Sequence, residues 1–120
     1  MEYIAYIISV VAILALACDW RQTLWSTLWA PDLFEVNPLL GPQPSARRVN
    51  VYFALSSILV AGSLAFLVLY GKFGAALSVS GFVAALELSC VVNNWSLGIS
   101  LIKPSRATVL TRSRADKVSR

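Results

Sequence analysis

The chain has 120 residues, 58% of them hydrophobic and 13% charged, with a mean hydropathy of +0.70. That length leaves room for one unit and no second domain, and a soluble domain fills its core with apolar content near half, so the excess is expected to face lipid. The net charge of +4 does not mark a nucleic-acid binder, because six of the ten basic residues crowd into the last eighteen positions and the rest is nearly balanced.

Residues 3–18 are apolar apart from Ser9 and open a first transmembrane helix, expected over about 3–20. Met1-Glu2-Tyr3 supplies no positive flank, and Ala15-Leu16-Ala17-Cys18 matches a lipoprotein cleavage box poorly, so the segment reads as a retained anchor. Helical periodicity continues beyond it. Trp20, Leu24 and Leu28 recur on one side, while Asp19, Gln22, Thr23 and Ser26 share the other. This pattern predicts an interfacial amphipathic extension over about 20–30, stopped by Pro31. Its indole rings, Trp20, Trp25 and Trp29, are expected as anchors at headgroup level, where an apolar ring with one N–H donor is best placed.

Residues 31–45 hold four of the five prolines and read as an irregular connection. Ser45 is a suitable N-cap for the next helix, whose apolar run 49–70 spans about 33 Å, enough for a hydrocarbon core of about 30 Å. Gly71 is expected to end it. The run 73–102 carries only Glu87 as a charge; it predicts a third span over about 73–98, with a turn left over before Lys103-Pro104 stops the helix.

The fold class expected is therefore an all-α membrane protein, with three transmembrane helices and the amphipathic extension of the first. Residues 1–102 form a single transmembrane domain, and residues 103–120 a basic tail. With three spans and the tail inside, Arg47 and Arg48 also lie inside and only Lys72 is left outside. The expected location is a bacterial inner membrane, crossed three times, with a periplasmic N-terminus and a cytoplasmic C-terminus. Each basic group near an anionic leaflet contributes on the order of 1 kcal/mol, so the tail is expected along anionic lipids. It lacks aromatics that would stack bases, and no nucleic-acid partner is expected.

Small residues recur at helical spacing on each span: Ala5, Ser9, Ala12; Ala54, Ser57, Ala61, Ala65; Ser80, Ala84. Such stripes let backbones approach closely, and contacts within one bundle are favoured over contacts between subunits. On the third helix the stripe runs on into Glu87, Asn94 and Gly98. Glu87 lies about 21 Å along that span from Phe73, where an ionised side chain costs roughly 3 kcal/mol on insertion scales. Counting from opposite ends brings Asp19, Arg21 and Gln22 to a similar depth as Glu87, Asn93 and Asn94, which predicts one intramembrane polar cluster. Arg21 is its expected cationic partner. An ion or proton path, a polar pore face or an acidic metal site are its functional readings, against a hydrogen-bond network that fixes helix rotation.

Enzyme chemistry finds little support. Histidine is absent, which removes the commonest component of haem ligation, zinc catalysis and Ser-His or Cys-His nucleophile pairs. Cys18 and Cys90 fall in apolar stretches where a thiol packs as a small hydrophobe. Asp19, Glu35 and Glu87 offer oxygen ligands suited to magnesium or calcium, but their scatter along the chain is weak evidence. No Gly-rich phosphate loop, nucleophile elbow or HExxH is present. The chain is not expected to be an enzyme, and no cofactor or metal is expected.

The stretch Asp19-Trp20-Arg21-Gln22-Thr23, then Glu35-Val36-Asn37-Pro38-Leu39-Leu40-Gly41, Pro44-Ser45 and Val49-Asn50-Val51-Tyr52-Phe53, resembles a group of uncharacterised small three-span membrane proteins of tailed phages and proteobacterial prophages. The likeness covers most of the chain up to the tail, includes Glu87 and Asn94, and marks Glu35, Asn37 and Pro38 as a connection motif. Members often carry a histidine where this chain has Asn93, a departure that counts against a shared metal or proton site. The architecture also resembles three-span holins, which implies a lesion or pore former in host lysis. The competing expectation is an interaction protein that binds a host membrane complex, for superinfection exclusion or as an accessory subunit. Its protein partners would be a second copy or that host complex.

Overall fold

The computed structural model describes residues 1–30, 35 and 37–99. The described residues form three helices: α1 over Glu2–Trp29, α2 over Ala46–Leu69 and α3 over Phe73–Ser96. All three are long and apolar enough to cross a membrane, with mean hydropathies of 2.0, 2.2 and 1.9 over their most apolar windows. At 1.5 Å per residue they measure about 42, 36 and 36 Å. Their outward faces are large and oily: Ile58 is 69% exposed, Leu59 70% and Phe82 71%. Apolar surface on that scale is a liability in water and a match for acyl chains.

The first helix does not break where the apolar run ends. It continues through Asp19-Trp20-Arg21 to Trp29, and the Ala30 N–H still reaches the Ser26 carbonyl. Ser45 starts α2 as expected, in extended geometry with its hydroxyl accepting the Arg48 N–H at 3.3 Å. The other end of α2 closes on Gly71, where φ is +66°: the Gly71 N–H bonds the Val68 carbonyl and the Lys72 N–H bonds the Leu67 carbonyl. This crossed pair is the Schellman closure, which needs a left-handed residue. Helix α3 ends the same way at Gly98, φ +76°, with Gly98 bonded to Trp95 and Ile99 to Asn94. There the left-handed glycine satisfies the last carbonyls of the helix. The basic tail, together with Pro31 to Phe34 and Val36, lies outside the described residues.

The short Tyr70–Lys72 turn makes α2 and α3 antiparallel, and α1 runs parallel to α3. These two parallel helices form the most extensive contact of the bundle. Small side chains make it: Ala5, Ala12 and Ala15 of α1 and Ala76, Ser80 and Ala84 of α3 are all buried. Without a hydrophobic drive in lipid, close backbone approach through such residues is the main source of attraction. The small-residue stripes of α1 and α3 thus serve contacts inside one chain. On α2 the stripe is looser, with Ala54, Ser57 and Ala61 half-buried and Ala65 exposed.

A second contact region closes the end of the bundle where α1 and α3 finish and α2 begins. Leu16, Leu40, Val49 and Phe53 form its core, with Trp20, Leu24 and Tyr52 packed against it. Leu40 comes from the proline-rich connection, which is knit rather than loose. The Asn37 carbonyl accepts both Leu40 and Gly41 N–H groups, the Asn37 side chain accepts Leu39 N–H, and the Arg48 guanidinium donates to the Leu39 carbonyl at 3.0 Å.

Candidate functional site

The stripe that packs α1 against α3 changes chemistry along its length. On α1 the positions Ala5 and Ala12 are followed, at the same seven-residue spacing, by Asp19 and Ser26. On α3 the series Ala76, Ser80, Ala84 continues to Glu87 and Asn94. The same helix faces that pack by small side chains at one end therefore bring polar groups together at the other.

Of the six residues expected in the cluster, Asp19 and Asn94 bond each other directly, and Gln22 and Glu87 lie at the same end of the seam. Asn94 donates its side-chain N–H to Asp19 Oδ1 at 2.9 Å, and Gln22, fully buried, donates Nε2 to the Val91 carbonyl at 3.3 Å. Glu87 shares this end of the α1–α3 seam with Asp19. Two buried oxygens, Gln22 Oε1 and Glu87 Oε2, find no hydrogen-bond partner. Asn93 is exposed and faces the cavity described next, whereas Arg21 lies on the exposed side of α1 and does not line it.

Beside the cluster a cavity of about 600 Å³ opens at this end of the bundle. Helix α1 contributes Asp19, Thr23, Ser26, Thr27 and Ala30. The connection adds Glu35, Asn37, Leu40, Gln43 and Pro44, α2 adds Phe53, and the end of α3 adds Leu86, Cys90, Asn93, Asn94, Leu97 and Ile99. The connection motif thus joins the intramembrane polar residues, with Glu35 and Asn37 on the cavity wall and Pro38 exposed in the turn beside them. Glu35 is held by a local loop in which its Oε1 accepts the Asn37 N–H at 2.9 Å and its own N–H bonds the Pro42 carbonyl at 3.0 Å. Asp19, Glu35 and Glu87 all stand within electrostatic range of Cys90. Among the described residues, no group of three or more His, Cys, Asp or Glu side chains is placed to hold a metal ion.

Trp20 has a more specific task than anchoring at an interface. Its indole N–H donates to Asn50 Oδ1 at 3.0 Å, and its ring stacks parallel to Phe53 with centroids 6.1 Å apart. Trp25 is half-buried and Trp29 exposed near the end of α1. Three polar lining residues escape a reading of the sequence: Thr27, Gln43 and Cys90. For Cys90 a signal exists, since it follows Glu87 by three positions and precedes Asn94 by four and so shares their face. Gln43 sits in a proline-rich segment with no periodicity to place it.

Compared with protein-family models, with curated proteins and with solved structures, the chain finds no match in any of the three.

Proposed function

We propose that this chain is a small multi-pass protein of a bacterial inner membrane, encoded by a phage or prophage, that acts by binding and without catalysis. The observation that carries this reading is the cavity itself: polar groups from α1, α3 and the connection converge on one open cavity at the end of the bundle. A lesion former is expected to turn its polar residues toward a pore shared between copies. Here Asn94 bonds Asp19 and Gln22 bonds the Val91 carbonyl, both across the α1–α3 seam. The biological setting that fits is an interaction protein at a host membrane complex, with lipid around the three spans.

The placement of basic residues supports an N-terminus outside and a C-terminus inside, with the cavity near the cytoplasmic face, Arg47 and Arg48 beside it and Lys72 at the far end. In that frame the last turns of α1, with Trp25 and Trp29, form the interfacial extension, and the tail lies along anionic lipid. Alkaline phosphatase fused after Arg120 is then silent; enzymatic activity there reverses the topology.

The holin reading is favoured by a different observation, the exposed small residues Gly62, Ser63 and Ala65 on α2, which suit close packing of a second copy. A potential-sensitive dye in expressing cells separates the two. A binding protein leaves the membrane potential intact at high expression, and abrupt collapse would replace the binding reading with lesion formation.

A further inference from the structure

We propose that the cavity is a binding site for an amphiphilic organic amine, a ligand with one protonated amino group and a compact apolar body. The volume of about 600 Å³ falls within the range of roughly 300–1,000 Å³ that small-molecule sites occupy. It is far too large to be filled by a lone ion. The carboxylic side chains on its wall are Asp19 and Glu35, and among the described residues no lysine or arginine lines it.

Hydrogen-bond accounting points the same way. The hydroxyl protons of Ser26 and Thr27 are both given to the Thr23 carbonyl at 2.9 Å, so these side chains offer the cavity their lone pairs. Asn94 spends a side-chain N–H on Asp19, and one Glu35 carboxylate oxygen accepts the Asn37 N–H. The walls thus present carboxylate and hydroxyl acceptors beside the amides of Asn37, Gln43 and Asn93, which both accept and donate, and an ammonium group satisfies the charged acceptors. The lining also holds Leu40, Phe53, Leu86 and Leu97, apolar surface that suits a hydrocarbon or aromatic body and disfavours a fully hydrated cation. The same ammonium chemistry is carried by soluble amines and by the phosphatidylethanolamine headgroup.

The assignment rests on the reading of the chain as a binding protein; a lesion former is recognised by collapse of the membrane potential, which the following titration does not measure. Full-length protein in phosphatidylcholine nanodiscs is titrated with dansylcadaverine, a fluorescent primary amine, and with neutral dansylamide, followed by anisotropy. Saturable binding of the amine is expected, at least about tenfold tighter than the neutral analogue. Asp19→Asn, which keeps an acceptor for Asn94, and Glu35→Gln, which lies outside the helices, are each expected to weaken it by about tenfold or more. Equal affinity for amine and neutral analogue, or unchanged affinity in both variants, overturns the cation assignment; so does absence of binding while the helical circular dichroism is intact. Nanodiscs that include phosphatidylethanolamine distinguish the sources: competition assigns the site to the lipid headgroup, and undiminished binding of the probe assigns it to a soluble amine.

Discussion

Asn94, in the last turn of α3, donates its side-chain N–H to Asp19 Oδ1 at 2.9 Å, a bond between residues 75 positions apart that joins the two most extensively packed helices at their polar end. Hydrogen bonds between helices in membranes average about 0.6 kcal/mol and reach about 1.7 kcal/mol. A double-mutant cycle of Asp19→Ala and Asn94→Ala, read by reversible unfolding in mixed micelles, is therefore expected to give a coupling of roughly 0.6–1.7 kcal/mol. A coupling indistinguishable from zero would mean that the two side chains do not meet.

The contrast between buried alanines and an exposed glycine gives a second expectation. Ala12 has no exposed surface, so Ala12→Leu forces α1 and α3 apart at a cost of about 1–3 kcal/mol. Gly62 on α2 has open space where a side chain would go, and Gly62→Leu is expected to leave monomer stability unchanged or raise it by a few tenths of a kcal/mol. Thermal denaturation of both variants in detergent checks the pair. Strong destabilisation by Gly62→Leu would reveal a partner surface packed on α2.

The three helices and their starts were legible because long apolar runs and a serine cap are local signals, complete within a few residues of themselves. The meeting of Asp19 with Asn94 was legible for a related reason: depth along a span can be counted from its ends, and seven-residue spacing places Asp19 and Ser26 on the face of Ala5 and Ala12. What could not be read is the contribution of the connection. Glu35, Asn37 and Leu40 reach the cavity through turns set by backbone bonds to Asn37 and Pro42, and those leave no periodicity in a proline-rich stretch.

The helix termini make a third test. Ser45→Ala removes the acceptor of the Arg48 N–H and is expected to cost about 0.5–1 kcal/mol, at the lower end of cap values because the bond is exposed. Gly71→Ala keeps open space around the new methyl, so its cost is purely that of an L-residue in left-handed geometry, roughly 1–2 kcal/mol. The discriminating comparison is Gly71→Asn, which tolerates positive φ better than alanine and is expected to recover part of the loss. Equal destabilisation by Ala and Asn in equilibrium unfolding would argue against the left-handed closure.

Leu40 is where the connection, the core and the cavity wall coincide: its side chain is only 1% exposed, packs with Leu16, Val49 and Phe53, and also borders the cavity. Leu40→Ala removes buried methyl groups that rigid neighbours replace incompletely, so a loss of about 2–5 kcal/mol is expected. The effect should also be local to one end. Hydrogen exchange at the backbone of residues 35–49 is expected to accelerate, because Leu40 pins the turn against the helices, while amides around Ala76 and Ser80 at the far end of the α1–α3 seam stay protected. Leu40→Met, nearly equal in volume, is expected to cost less than about 1.5 kcal/mol and to restore that protection. If Leu40→Ala left exchange in the connection unchanged, the turn would have to be held by its own hydrogen bonds alone, and Leu40 would not be the residue that docks it.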